Sequence, residues 1–166
     1  MAVNNDAAHC AGSNTFGIWV DADACPAAIK EILYRTARRL QVKLTLVANQ
    51  FMSVPSSKLV WLITVPGGAD VADDKIVEML APGDVVITGD IPLAARVVKK
   101  AAFAIGFRGE LFDDNSVHDR LAARDLMEQF RSAGVETRGP SPLTPKDLQA
   151  FANALDRTLT RRLKKG

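Results

Sequence analysis

Gly17-Ile-Trp-Val-Asp21-Ala-Asp23-Ala-Cys25-Pro26 and Asp84-Val-Val-Ile-Thr-Gly-Asp90-Ile-Pro92 are built alike: a short apolar run, then aspartate, then proline. Each apolar run reads as a buried strand. Each proline suits the first turn of a helix, where its missing N–H would have had no partner. Strands that feed directly into helices imply parallel pairing through right-handed crossovers. In such open sheets, ligands bind beyond the carboxyl ends of the strands. Asp21, Asp23 and Asp90 are thereby delivered to the ligand end. Clustered carboxylates repel one another, and a divalent cation relieves that repulsion.

Outward from these two stretches, the same alternation continues. A helix is expected over 26–40, with Ile29, Ile32, Leu33, Ala37 and Leu40 on one stripe. Strands follow at 44–48 and 59–65, separated by a polar loop that holds Pro55. Pro66-Gly67-Gly68 breaks the chain before a helix from Asp70 to about Leu80. Next come a strand at 85–88, a helix at 92–100 and a short strand at 102–105. An amphipathic helix over 116–133 stops at Gly134, and Thr144 caps a last helix over 146–164. The expectation is an α/β fold with about five parallel strands and helices on both faces. Residues 1–16 read as a flexible polar extension, 17–155 as a single domain, and 156–166 as a basic end.

Composition narrows the function. A chain of 166 residues, 48% hydrophobic, holds one domain with a substantial core. Net charge is only +2, but base gathers at Arg35/Arg38/Arg39, at Lys99/Lys100 and in the tail from Arg157 to Lys165. Basic patches beside an acidic pocket suit a polyanion; solvated helix faces are their ordinary explanation. The two cysteines, Cys10 and Cys25, are too few for a structural zinc site or a disulfide scaffold. No apolar run is long enough for a membrane span, and 1–16 lacks the pattern of a signal peptide. The cytoplasm is the expected location, with no membrane partner.

The residues that carry these readings resemble one family. Ile18–Pro26, Leu46-Val-Ala-Asn-Gln50, Asp70-Val-Ala-Asp-Asp74, Val86–Ala94, Arg108-Gly-Glu110 and Arg124-Asp125 are similar, in that order, to the YaiI/YqxD family of bacterial proteins, over roughly 17–155. That family is similar to PIN-like domains, whose nuclease members hold Mg²⁺ or Mn²⁺ with acids at strand ends and cut RNA or DNA. The resemblance implies a three-layer PIN-like fold and a metal-dependent nuclease. Asp21, Asp73 and Asp90 are then the catalytic acids, and Asp21, Asp23, Asp70, Asp73 and Asp90 the metal ligands. Single-stranded RNA is the expected partner. The family itself is functionally uncharacterised.

Each assignment has an ordinary competitor. Asp23, Asp70 and Asp90 also suit helix caps, and the acids at 70, 73 and 74 complement a helix dipole. Asn49, Arg108 and Arg124 are the candidate substrate contacts: the guanidinium forks suit phosphate, while Asn49 fits a water, a phosphate or a plain turn. Cys25 has Glu31 six residues on, so it does not form a Cys-x5-Arg phosphatase loop, and it reads as a small buried residue. Hard oxygen donors favour Mg²⁺ or Mn²⁺ over zinc. Val20-Asp21-x-Asp23 also resembles the nucleophile motif of haloacid-dehalogenase-type phosphatases. Ala24 and Ala94 depart from that pattern. A non-catalytic nucleic-acid-binding protein on the same fold is the remaining reading, and Phe51, Trp61 and Phe130 are candidates for a dimer surface.

Overall fold

The computed structural model describes residues 16–134 and 142–165. In chain order the elements are β1 (Gly17–Asp21), α1 (Ala27–Leu40), β2 (Lys43–Ala48), β3 (Val60–Thr64), α2 (Val71–Met79), β4 (Val85–Ile87), α3 (Ile91–Lys99), β5 (Phe103–Ile105), β6 (Leu111–Phe112), α4 (Asp114–Ser132) and α5 (Pro145–Lys165). They form one six-stranded sheet in the order β3-β2-β1-β4-β5-β6. The first five strands are parallel, as expected, and β6 is antiparallel to β5. That sixth strand corrects the expected count. Two residues are too short to carry a period-2 signal.

Alternation along the strands builds two cores. Ile18, Val20, Leu44, Leu46, Val85 and Ile87 face Ile29 and Leu33 of α1 and Phe151, Leu155 and Leu159 of α5. Trp19, Val47, Val86 and Ala104 face Ile76 of α2, Leu93 and Val97 of α3 and Val117 of α4. The result is three layers, with helices on both faces.

The amino ends of the strands are tied by a buried acid, Asp84. Its carboxylate accepts from the Gly17 N–H at 2.9 Å, from the Trp19 indole N–H at 3.0 Å and from the Ala81 N–H at 2.9 Å. Nearby, the Arg162 guanidinium lies 5.3 Å from the Phe16 ring centroid and 5.9 Å from that of Phe103. Gly83, at φ +87°, leaves it room; a Cβ there would sit 2.3 Å from the guanidinium. Part of the basic end is therefore packed: Leu159 is fully buried, and Arg162 is a clamp rather than a free cation. Phe16, assigned to the extension on sequence, is buried in the first core; the rest of 1–16 lies outside the described residues.

The caps follow local chemistry. Thr144 Oγ1 accepts the Asp147 N–H at 3.1 Å, and Asp147 accepts the Thr144 N–H at 2.9 Å, the expected start of α5. Asp113 and Ser116 form the same reciprocal box for α4. Asp70 occupies the N-cap position of α2 in the left-handed region, φ 64°, yet its side chain accepts no capping bond.

Candidate functional site

The topology itself marks a crevice. β1 and β4 are adjacent, but β1 leads into α1 on one face and β4 into α3 on the other. Such a switch point opens a gap beyond the carboxyl ends of its two strands, where open α/β sheets bind ligands. Asp21 ends β1. Asp90 follows β4 after Thr88 and Gly89.

Asp21 is half-buried, and its pKa is pushed from 3.8 up to about 6. Burial is the largest cause, followed by the negative charges of Asp73, Asp90 and Asp23. Every charge acting on it is negative. Asp73, half-buried in the first turn of α2, is also raised, by burial and then by Asp90 and Asp70, against a smaller opposing pull from Arg96. Arg96 pairs with Asp74 at 2.8 Å. Asp21, Asp73 and Asp90 thus act on one another electrostatically.

They do not form a finished cage. Among the described residues, no three His, Cys, Asp or Glu side chains lie close enough together to hold a metal ion. The two observations answer different questions. Shared repulsion extends several ångströms further than a coordination bond. The donor chemistry, all hard oxygen, fits Mg²⁺ or Mn²⁺; the present rotamers do not yet converge.

The remaining candidates separate. Asp23 does not cap α1. It is exposed, and its Oδ2 accepts the Asn49 N–H at 2.7 Å, tying the β1–α1 turn to the end of β2. A carboxylate held as an acceptor is poorly set to donate a proton, which counts against the phosphatase role for Asp23. Asp90 keeps both assignments: its Oδ1 accepts the Leu93 N–H at 3.1 Å as a helix cap, and its charge acts on Asp21. Asn49 Oδ1 is buried without a hydrogen-bond partner. An orphan acceptor calls for a donor or a cation, not a phosphate. Arg108 pairs with Asp147 at 2.5 Å, and Arg124 is exposed on α4, where it acts on Glu128. Neither is among the groups that act on Asp21. Burial pushes the Cys25 thiol up to about 12, so it is no nucleophile.

Two supporting residues escaped the sequence reading. Thr88 is fully buried, and its hydroxyl accepts the Asp90 N–H at 3.0 Å. The Phe107 ring covers Gly89, where a Cβ would come within 2.8 Å of it. Together they fix the backbone that presents Asp90. The glycine before Asp90 was the available signal for such a close approach.

A model of the YaiI/YqxD family, described as uncharacterised, matches residues 19–161. The chain belongs to the YaiI/YqxD family. Relatives named UPF0178 protein agree: one from Maridesulfovibrio salexigens is 53% identical over 146 residues, covering 88% of this chain and 97% of its own. One from Bordetella petrii is 56% identical over 142 residues, covering 86% and 95%. No solved structure matches significantly. For this YaiI/YqxD protein, the match runs from β1 into α5, so it includes the whole crevice. No described helix is long and apolar enough to cross a membrane.

Proposed function

We propose that this protein is a Mg²⁺- or Mn²⁺-dependent phosphodiesterase that hydrolyses single-stranded nucleic acid, RNA foremost. The observation that carries the reading is Asp21: a half-buried carboxylate at the topological switch point, on which only negative charges act. The resemblance to PIN-like nucleases supports the same assignment. Asp21, Asp73 and Asp90 would hold the cation, with Asp23 and Asp70 beside them. When bound, it stabilises charge on the attacking and leaving oxygens of an in-line displacement. Thr88 and Phe107 keep Asp90 in place. Asp23 holds the end of β2 and with it the Asn49 backbone. Arg108 and Arg124 contribute at most a peripheral positive field.

The test is cleavage of a labelled pool of single-stranded RNA and DNA at low salt in Mn²⁺. Wild type cleaves, and Asp21→Asn and Asp90→Asn each lose at least about a hundredfold. Equal cleavage by all three would sink the reading. The open arrangement of the carboxylates favours one alternative, a non-catalytic nucleic-acid-binding protein. Metal-independent binding without cleavage by any of the three proteins would establish that alternative.

A further inference from the structure

A second surface lies on the edge strand β3, on the side of the sheet away from β4. The crossover 49–59 joins parallel β2 and β3 without a helix, running from Asn49 at the crevice back to the start of β3 on the open edge. Where it ends, Ser56, Ser57, Lys58, Val60 and Trp61 line a shallow, open surface depression. An open, ring-floored surface of this kind suits a stacked base rather than an enclosed small molecule. The Trp61 indole N–H donates to the Lys58 carbonyl at 3.1 Å, and the Lys43 ammonium lies 5.3 Å from the ring centroid. The ring is thus fixed before any ligand arrives, with one face taken by a cation.

We propose that Trp61 is a base-stacking platform for single-stranded nucleic acid, with Lys58 and the hydroxyls of Ser56 and Ser57 contacting the phosphate and sugar. The inference rests on the reading that the crevice acts on nucleic acid. The chemistry favours this occupant over a peptide. None of the five lining residues is acidic, and Lys58 and Lys43 bring positive charge to a rigid aromatic ring. Stacked bases on aromatic rings within a positive groove are how sequence-tolerant single-strand sites are built. Phe51, 72% exposed on the same crossover, lies along the path between the two ends. Trp61 is in register with Thr45 and, through it, with Trp19, two residues before Asp21, so the platform is about 7 Å from Asp21 along the strand direction and two strands, about 10 Å, across the sheet, within reach of one short nucleic-acid strand.

The experiment is fluorescence anisotropy of labelled single-stranded RNA and DNA of about ten nucleotides, in EDTA, on Asp21→Asn protein. Cleavage and metal are thereby removed, so failure of the proposed catalysis leaves this result unaffected. Adding Trp61→Leu to this parent should weaken binding about tenfold, and Trp61→Phe should restore most of it. Lys58→Ala should lower the salt dependence by about one phosphate contact. An oligomer abasic throughout should bind the parent and the Trp61→Leu protein alike, because it offers nothing to stack. Thermal melts of each variant separate lost contact from lost fold. The proposal is overturned if neither oligomer binds, if Trp61→Leu binds as tightly as its parent, or if abasic and natural oligomers respond equally to the substitution.

Discussion

Asp21 and Asp84 each flank a short apolar run in the sequence, Asp21 after β1 and Asp84 before β4. Their surroundings are opposite. Asp84 is 6% exposed and accepts three N–H donors, whereas Asp21 meets burial and negative charge. The same isosteric change should therefore have opposite effects. Asp84→Asn replaces an oxygen with a donor that faces donors, leaving at least one of them unsatisfied at about 1–3 kcal/mol. In a chain of this size that lowers the melting temperature by about 2–4 °C per kcal/mol. Asp21→Asn should raise it. A carboxyl whose folded pKa is elevated favours the folded state while protonated, and that stability is lost as pH rises from 3.8 through about 6. The gain from Asp21→Asn should thus be absent near pH 4, grow towards pH 6 and level off above it. A flat difference between the two melting curves across that window would refute the assignment of Asp21 to an acidic field. The distinction is not legible in the sequence, because the Trp19 partner of Asp84 lies 65 residues away.

Helices and central strands are legible because their periodicities are local. The Ile29/Leu33/Ala37 stripe marks α1, and the strand–aspartate–proline pattern marks β1 and β4. Non-local contacts decide the rest. The crossover 49–59 reads as a polar loop and is one; that the strands it joins are direct parallel neighbours is set by pairing across the sheet. Asp70 reads as a plausible cap, yet its left-handed backbone turns the side chain away from that role. The turn after β5 depends on contact with α5. Gly109 has φ +87°, and a Cβ there would lie 2.6 Å from the Ala150 carbonyl oxygen. Gly134 has a similar φ of +80°, with nothing within 4 Å. Gly109→Ala should therefore combine backbone strain with a backbone clash, costing about 2 kcal/mol or more. Gly134→Ala carries only the strain, about 1 kcal/mol. Urea midpoints compare the two, and an equal loss would mean that α5 does not press on this turn.

At the scale of the whole molecule, strand order matters more than any single motif. With helices leaving β1 and β4 on opposite faces, the sheet itself opens a crevice where Asp21 and Asp90 arrive, and α2 adds Asp73 from the side. The carboxylates are costly to the fold, and the same negative field that disfavours their ionisation favours a cation. Binding to the folded state alone stabilises it by mass action. Mn²⁺ should therefore raise the melting temperature at pH 7.5 in a concentration-dependent way. Because protons compete for the Asp21 oxygens, the apparent affinity should fall about tenfold per pH unit below about 6 for the one proton displaced from Asp21. Asp21→Asn removes both the ligand and the titration, so its smaller response should vary little over that range. Ca²⁺ and Mg²⁺ at matched ionic strength separate coordination from general screening, since bulk screening does not discriminate among divalent ions. If wild type and Asp21→Asn respond equally to Mn²⁺ at every pH, the crevice is an acidic surface and not a cation site.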